Sequence, residues 1–211
     1  SCITANGEGC CGAVSNHTGD IPSGEEMARR NIDSWVPHLD AGAEAIVTTA
    51  SACGLEIREY PELLKNDPAF ACKAQRIADA VLDISEFLSQ SVDSSGLTLS
   101  EPLPQISFHA PCTLQHGLKQ AGTVEGLLQK LGFSVRTAAD PHLCCGSAGT
   151  YSILQPGMAL QLRDDKLEKL DAAGAEVIAT ANIGCMMHLQ SGTGTEVRHW
   201  IENIDSSLDK A

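Results

Sequence analysis

The sequence has 211 residues, of which 43% are hydrophobic and 19% charged, and its net charge is -13. This composition is ordinary for a globular protein of one or two domains, and the acidic balance argues against nucleic acid as a partner. No apolar run reaches the ~18 residues of a transmembrane segment, and the first residues lack the basic and apolar regions of a signal peptide, so we expect a cytoplasmic protein.

The first predicted elements surround a pair of adjacent cysteines. Cys10 and Cys11 lie in a glycine-rich turn, and a helix is predicted over 23–39. Two glutamates in the first turn of this helix suit the positive end of its dipole. An apolar run at 45–49 predicts a strand, which is followed closely by Cys53.

The later part of the chain alternates between strands and helices, and each of its predicted strands is followed by cysteine. In chain order we predict strand 106–109, Cys112, helix 123–131, strand 133–137, Cys144 and Cys145, helix 158–172, strand 177–180 and Cys185. Because the carboxyl ends of parallel strands share one edge of a sheet, we expect these cysteines to lie near one another.

Four other segments complete the assignment. Apolar residues at spacings of three and four predict a helix over 71–90. The segment 93–104, with Ser, Gly and Pro, predicts a linker. Residues 163–166 predict a solvated helix face, and residues 195–208 predict a short strand or helix that packs against the end of the chain.

The two cysteine-rich parts are copies of one module. Residues 41–49 and 173–181 are closely similar, each segment precedes a cysteine by four residues, and a Cys-Cys-Gly turn lies about forty residues before that cysteine in both copies. We therefore expect an α/β fold of two pseudo-symmetric modules with mainly parallel sheets, over 1–92 and 105–211. The first module lacks the strand, cysteine and helix that open the second, so we expect it to be truncated at its N-terminus.

The cysteines indicate a metal centre. The nine cysteines are an odd number spread among regular elements, unlike the even set of a small secreted disulfide scaffold. Four thiols suit zinc or an iron–sulfur cluster, and adjacent cysteines bind two irons of a cluster more easily than one tetrahedral ion. The predicted metal ligands are Cys112, Cys144, Cys145 and Cys185 in the second module and Cys10, Cys11 and Cys53 in the first.

Other interpretations remain beside this one. Buried cysteine is a common small hydrophobic residue, and we expect that role for Cys2 and Cys72, which have no repeat counterpart. A thiol–disulfide enzyme would have to close a strained ring between adjacent cysteines. Histidines near the cysteines could hydrogen-bond a sulfur, relay protons or contact a quinone, or they could donate to backbone carbonyls in a structural role. They are His17, His109, His116, His142 and His188. No catalytic residue and no organic-cofactor site is predicted.

Three motifs in this sequence resemble a known family. They are the stretches at 109–117, 143–152 and 181–192, which contain His-Ala-Pro-Cys, Leu-Cys-Cys-Gly-Ser-Ala-Gly and Asn-Ile-Gly-Cys. The duplicated Cys-Cys-Gly module resembles the cysteine-rich (CCG) domain found in heterodisulfide reductase and its relatives. The finer pattern resembles the iron–sulfur subunits of glycolate oxidase over nearly the whole chain.

The resemblance implies an electron-transfer role. It implies a 4Fe-4S type cluster in a glycolate oxidase complex, in which a flavin-containing subunit oxidises glycolate to glyoxylate and electrons pass toward a quinone. The implied partners are that flavin subunit, a ferredoxin-like N-terminal half that this sequence does not contain, and the quinone. The implied location is the cytoplasm or the inner face of the plasma membrane. The chain would serve as a subunit of the enzyme without being catalytic alone.

One departure from the family pattern leaves the identity of the bound metal undecided. Relatives with the CCG domain carry a further cysteine three residues before the last one, where this sequence has Ala50 and Asn182. A conventional cluster, a single zinc ion and an empty site all remain as alternatives. With zinc or no metal, the chain would be a structural or docking module in a related lactate- or glycerol-phosphate-oxidising complex.

Overall fold

The structure is a computed structural model, and it describes residues 1–92, 97–171 and 174–208. The chain divides into two compact units, Ser1–Ile84 and Ser85–Ala211. The predicted linker 93–104 falls within the second unit, and its residues 93–96 lie outside the described residues, as does Ala172 in the predicted helix 158–172. Within the described ranges, no helix is both long enough and apolar enough to cross a membrane.

The first unit packs helices around a short parallel pair of strands. Its elements are α1 Ala13–His17, α2 Ile21–Asp40, β1 Ile46–Thr48, α3 Ser51–Arg58, α4 Tyr60–Leu63, α5 Ala71–Ala80 and β2 Val81–Asp83. The side chain of Asp20 caps α2. Ala28, Ile32 and Trp35 recur at helical spacing along α2 and pack into one core with Ile57 and Tyr60. The predicted helix 23–39 and strand 45–49 are therefore confirmed.

The predicted helix over 71–90 is wrong in its middle. Val81–Asp83 is a strand that pairs in parallel with β1, with Ile46 opposite Val81. Apolar residues at spacings of three and four suit a helix, but the same run also holds a buried valine that can lie beside β1. Pairing satisfies the backbone groups along β1, and helix resumes at Ile84.

The second unit is built on four parallel strands. Its elements are α6 Ile84–Ser91, β3 Ile106–His109, a π-helical turn Thr113–Gly117, α7 Thr123–Lys130, β4 Val135–Thr137, α8 Tyr151–Leu154, α9 Pro156–Asp171, β5 Val177–Thr180, α10 Ile183–Gln190, β6 Glu196–His199 and α11 Trp200–Ser207. The strand order is β4-β3-β5-β6, and every pairing is parallel. The tail predicted as a strand or helix contains both.

The two interior strands of the second unit, β3 and β5, position the cysteines that follow them. Every residue of β3 and β5 is buried, as expected for strands covered on both faces of a parallel sheet. Pairing of β5 with β6 repeats the pairing of β1 with β2. The predicted α/β class with parallel sheets is confirmed, and the cysteine pairs lie near the carboxyl ends of the strands.

Candidate metal centre

The carboxyl ends of β3 and β5 bring the second-unit cysteines together. His109 is the last residue of β3, lies opposite Thr180 of β5, and is followed three residues later by Cys112. Cys185 lies in the first turn of α10, directly after β5. Cys144 and Cys145 occupy the loop between β4 and α8. The site is therefore assembled from connections that follow three neighbouring strands.

The four thiols and one imidazole form a continuous cluster. One ligand atom each from His109, Cys145 and Cys185 lie within 4.8 Å of one another. Cys145 hydrogen-bonds with both Cys144 and Cys185, and Cys144 also hydrogen-bonds with Cys112. The structure thus gathers all four cysteines that the sequence singled out in this module, and it adds His109 from the five histidines considered.

Proton sharing sets the charges within this cluster. Hydrogen bonding to Cys112 and Cys145 lowers the pKa of Cys144, while the Cys145 thiol lowers the pKa of Cys185 to about 5, with His109 acting in the same direction. The pKa values of Cys112 and Cys145 are raised, first because they donate to these sulfurs and then because they are buried. These shifts favour the thiolate form at Cys144 and Cys185 over Cys112 and Cys145.

The glycine after the cysteine pair lets a helix cover the site. Gly146 has a positive φ of 87°, and its amide donates to the Cys144 sulfur at 3.3 Å. A Cβ atom built on Gly146 would overlap the carbonyl oxygen of Ala159 in α9. Only glycine therefore permits this approach of α9 to the turn.

Lys166 is a buried cation on the covering helix. Its side chain is 1% exposed, and Nζ donates to the carbonyls of Asp140 and Pro141 in the loop before Cys144. Burial lowers the pKa of Lys166, whereas the nearby thiols, led by Cys145, oppose that change. The predicted solvated face over 163–166 is wrong at this residue, because a lysine at one position of a charged run gives no periodic signal of burial.

The first unit brings two of its three candidate ligands together. Cys11 donates to Cys53 with a sulfur–sulfur distance of 3.2 Å, while Cys10 is exposed. The hydrogen bond raises the pKa of Cys11 and lowers that of Cys53. Glu56 is 5% exposed, acts electrostatically on both thiols, and binds the side chain of Asn16. This site therefore has a buried carboxylate beside its sulfurs.

Equivalent helices present different residues to the two sites. A Cβ atom built on Gly12 would lie 3.2 Å from the carbonyl oxygen of Gly24, and one built on Gly146 would overlap that of Ala159, so both helices pass close to a cysteine turn. Seven residues later, α2 has Asn31 and α9 has Lys166. Asn31 is fully buried, accepts from the amide of Gly9 at 2.8 Å and donates to the carbonyl of Cys10 at 3.0 Å. A neutral amide and a cation thus hold the corresponding loops.

Tyr60 supports the first cysteine turn through its hydroxyl group, and the contribution of this hydroxyl to stability can be measured. The fully buried hydroxyl donates to the carbonyl of Cys11 at 2.8 Å and accepts from Asn31 at 3.2 Å. We expect Tyr60→Phe to lower the free energy of unfolding by about 1–3 kcal/mol, because the carbonyl loses its buried donor. Urea unfolding of the metal-free chain measures this loss. Tyr151→Phe, at an exposed tyrosine, is the control, and equal losses would contradict the assignment.

Two other histidines and two other cysteines have environments of their own. His188 hydrogen-bonds with the carbonyl of Ala159 at 3.1 Å, and His17 lies 3.7 Å from a carboxylate oxygen of Glu56. Cys2 and Cys72 are exposed. The buried role predicted for those two cysteines is therefore wrong, although both stay outside the cluster.

The donor set of the second unit suits a metal centre. His109 is 1% exposed, and neither ring nitrogen has a hydrogen-bond partner of normal geometry among the described residues. Buried polar atoms without partners are rare in proteins and call for an explanation. Four sulfurs beside such an imidazole are the donors that zinc and iron–sulfur clusters take.

A family model described as "Cysteine-rich domain" (CCG) matches residues 2–58 and 106–190, so it covers most of the chain and both repeats. The chain belongs to the CCG family. The two matched segments contain all seven cysteines predicted as metal ligands.

Several curated proteins are similar over nearly all of the chain. The glycolate oxidase iron-sulfur subunit of Escherichia coli (strain K12) is 45% identical, over 100% of this chain and 51% of its own length. The probable glycolate oxidase iron-sulfur subunit of Bacillus subtilis is 31% identical, over 90% and 42%. Lactate utilization protein A of Bacillus licheniformis is 27% identical, over 95% and 84%. The chain spans about half the length of the first two relatives.

Proposed function

We propose that the second unit binds an iron–sulfur cluster through Cys112, Cys144, Cys145 and Cys185, and that the chain transfers electrons within a glycolate-oxidising complex. The convergence of these four thiols at one sheet edge, beside a buried imidazole whose nitrogens have no normal hydrogen bond among the described residues, carries the proposal. Similarity to a glycolate oxidase iron-sulfur subunit at 45% identity supports the choice of complex.

The arrangement favours a cluster over a single ion. Cys144 and Cys145 are adjacent in sequence, yet both hydrogen-bond with other cysteines of the group. Two neighbouring sulfurs that reach different partners suit a group with several metal atoms. When bound, a cluster supplies one-electron chemistry. The chain contributes the burial of Cys145, the amide of Gly146 donated to Cys144, and the buried charge of Lys166.

Membership in such a complex would also define the partners and the location of the chain. A flavin-containing subunit would oxidise glycolate to glyoxylate, and electrons would pass through this chain toward a quinone. A ferredoxin-like segment within the same polypeptide would be a further partner, in the cytoplasm or at the inner face of the plasma membrane. Cys10, Cys11 and Cys53 would form a second site with fewer thiols. The two modules would occupy 1–92 and 105–211, joined at 93–104.

Metal analysis of the chain purified without oxygen tests this proposal. We expect bound iron with acid-labile sulfide, and loss of both from the second unit in Cys145→Ser. Cys72→Ser is the matched control, because Cys72 is exposed and outside the cluster. Iron and sulfide absent from the wild-type chain, or unchanged in Cys145→Ser, would overturn the proposal.

A docking module with zinc is the second candidate. Zinc also accepts sulfur and imidazole donors, and the similarity to lactate utilization protein A supports a related lactate-oxidising complex. Zinc without sulfide in the purified chain, with electron transfer in the assembled complex retained in Cys145→Ser, would favour this candidate over the cluster.

A further inference from the structure

We infer that His109 is a fifth protein ligand of the second-unit centre, which gives that centre a mixed sulfur and nitrogen donor set. This inference rests on the proposed function and deepens it. The iron–sulfur proposal requires only the four cysteines, so the two can fail separately.

The backbone holds His109 at a fixed place in the site. It is the last residue of β3, a strand paired on both sides, and lies opposite Thr180. Its side chain is 1% exposed. One of its ring nitrogens lies within 4.8 Å of the sulfurs of both Cys145 and Cys185. A ligand on an interior strand is positioned more rigidly than one on a loop.

Among the described residues, the imidazole of His109 interacts with the sulfur of Cys185 and lacks the backbone carbonyl partner that a structural histidine can have. Within the described part of the chain, both nitrogens of His109 are buried without a hydrogen bond of normal geometry, whereas His188 in the same unit bonds with the carbonyl of Ala159. The hydroxyl of Thr180, on the neighbouring residue across the sheet, is also buried without such a bond in those ranges. Burying an imidazole this way costs free energy that a bond to a metal would offset.

Asn182 also lies close to Cys185 in sequence, but its side chain caps a helix. Asn182 accepts from the amide of Gly184 at 2.9 Å and caps α10. Its oxygen is thereby committed to the start of the helix. Among the described residues near the four cysteines, His109 is the side chain that offers a nitrogen donor to the centre.

Neutral imidazole changes the charge of the centre. Replacing a thiolate ligand by histidine removes one negative charge, and histidine ligation raises the reduction potential of iron–sulfur centres. We therefore expect His109→Cys, which would supply a thiolate at the same place, to lower the midpoint potential. A merely structural histidine would not produce that direction of change.

Pulsed electron paramagnetic resonance of the anaerobically prepared, iron-loaded chain tests the inference. We expect a strong ¹⁴N coupling to the cluster in the wild-type chain, its replacement by the ¹⁵N pattern after labelling with ¹⁵N-histidine, and its loss in His109→Ala. The matched control is His188→Ala, which should retain the coupling. The labelling measurement needs no variant, so a folding defect in His109→Ala leaves the test intact.

The outcomes separate the inference from the proposed function. Iron and sulfide with no histidine-derived nitrogen coupling would leave the cluster proposal standing and overturn ligation by His109. Coupling that persists in His109→Ala would also overturn it. A chain without iron would instead contradict the proposed function, and X-ray absorption of any bound zinc would then show whether its shell contains nitrogen as well as sulfur.

Discussion

Gly146→Ala is expected to destabilise the second unit by about 2–5 kcal/mol. Two costs add at this position. A non-glycine residue at the positive φ of Gly146 pays about 1–2 kcal/mol, and overpacking adds about 1–3 kcal/mol. The new Cβ would overlap the backbone carbonyl of Ala159 and lie 3.1 Å from the Cβ of Leu162. The clash is with helix backbone and not with a flexible side chain. It can therefore be relieved only if α9 shifts as a whole.

Substitutions at two other glycines distinguish the backbone cost from the packing cost. Gly149 has a φ of 59° with open space around its Cβ position, so Gly149→Ala should show the backbone cost alone. Gly12 is the repeat counterpart of Gly146 and has a φ of 93°, but its Cβ position lies 3.2 Å from the carbonyl of Gly24. Gly12→Ala should therefore be intermediate. Urea unfolding of the metal-free variants measures all three, and a loss in Gly146→Ala no larger than in Gly149→Ala would contradict the packing argument.

Lys166→Met is expected to lower the midpoint potential of the proposed cluster by on the order of 80 mV. Reduction adds negative charge, which a nearby cation stabilises, so removing the cation favours the oxidised state. At an effective dielectric constant of ~20, a unit charge at a nominal separation of about 8 Å is worth about 2 kcal/mol, or roughly 80 mV for a one-electron couple. Burial of Lys166 at 1% exposure keeps its charge from being screened by salt.

Lys169→Met is the matched control for this measurement. Lys169 lies one turn further along α9, and its substitution removes the same charge, but it is partly exposed and binds the carboxylate of Asp140 at 2.9 Å. Screening by solvent should make its effect on the potential small. Redox titration followed by electron paramagnetic resonance measures both variants. Equal shifts in the two variants would show that Lys166 acts through net charge alone, contrary to our expectation.

The sequence could predict which cysteines of the second unit lie together, because the signals for them are periodic or repeated. The strands at 106–109 and 177–180 are apolar runs with the observed bounds, and their order places Cys112 and Cys185 at one sheet edge. Duplication of the Cys-Cys-Gly turn then pointed to Cys144 and Cys145. These inferences need only local pattern and the rule that parallel strands share an edge.

The features that the sequence did not predict depend on contacts between residues far apart in the chain. Val81 fits either a helix or a strand by its spacing, and pairing with β1 decides the matter. Lys166 lies in a charged run, and its burial follows from the loop carbonyls it meets. His109 could not be told from the other histidines by sequence, because its lack of a normal hydrogen bond among the described residues exists only in the folded chain.

The paired positions Asn31 and Lys166 bear on how duplicated genes diverge. Both residues hold the loop of a cysteine turn from a covering helix, yet neither belongs to the turn itself. A single substitution at that helical position can therefore change the charge beside one cysteine turn and leave the turn itself unaltered. After duplication of the module, one such change is enough to give the two turns surroundings of different charge.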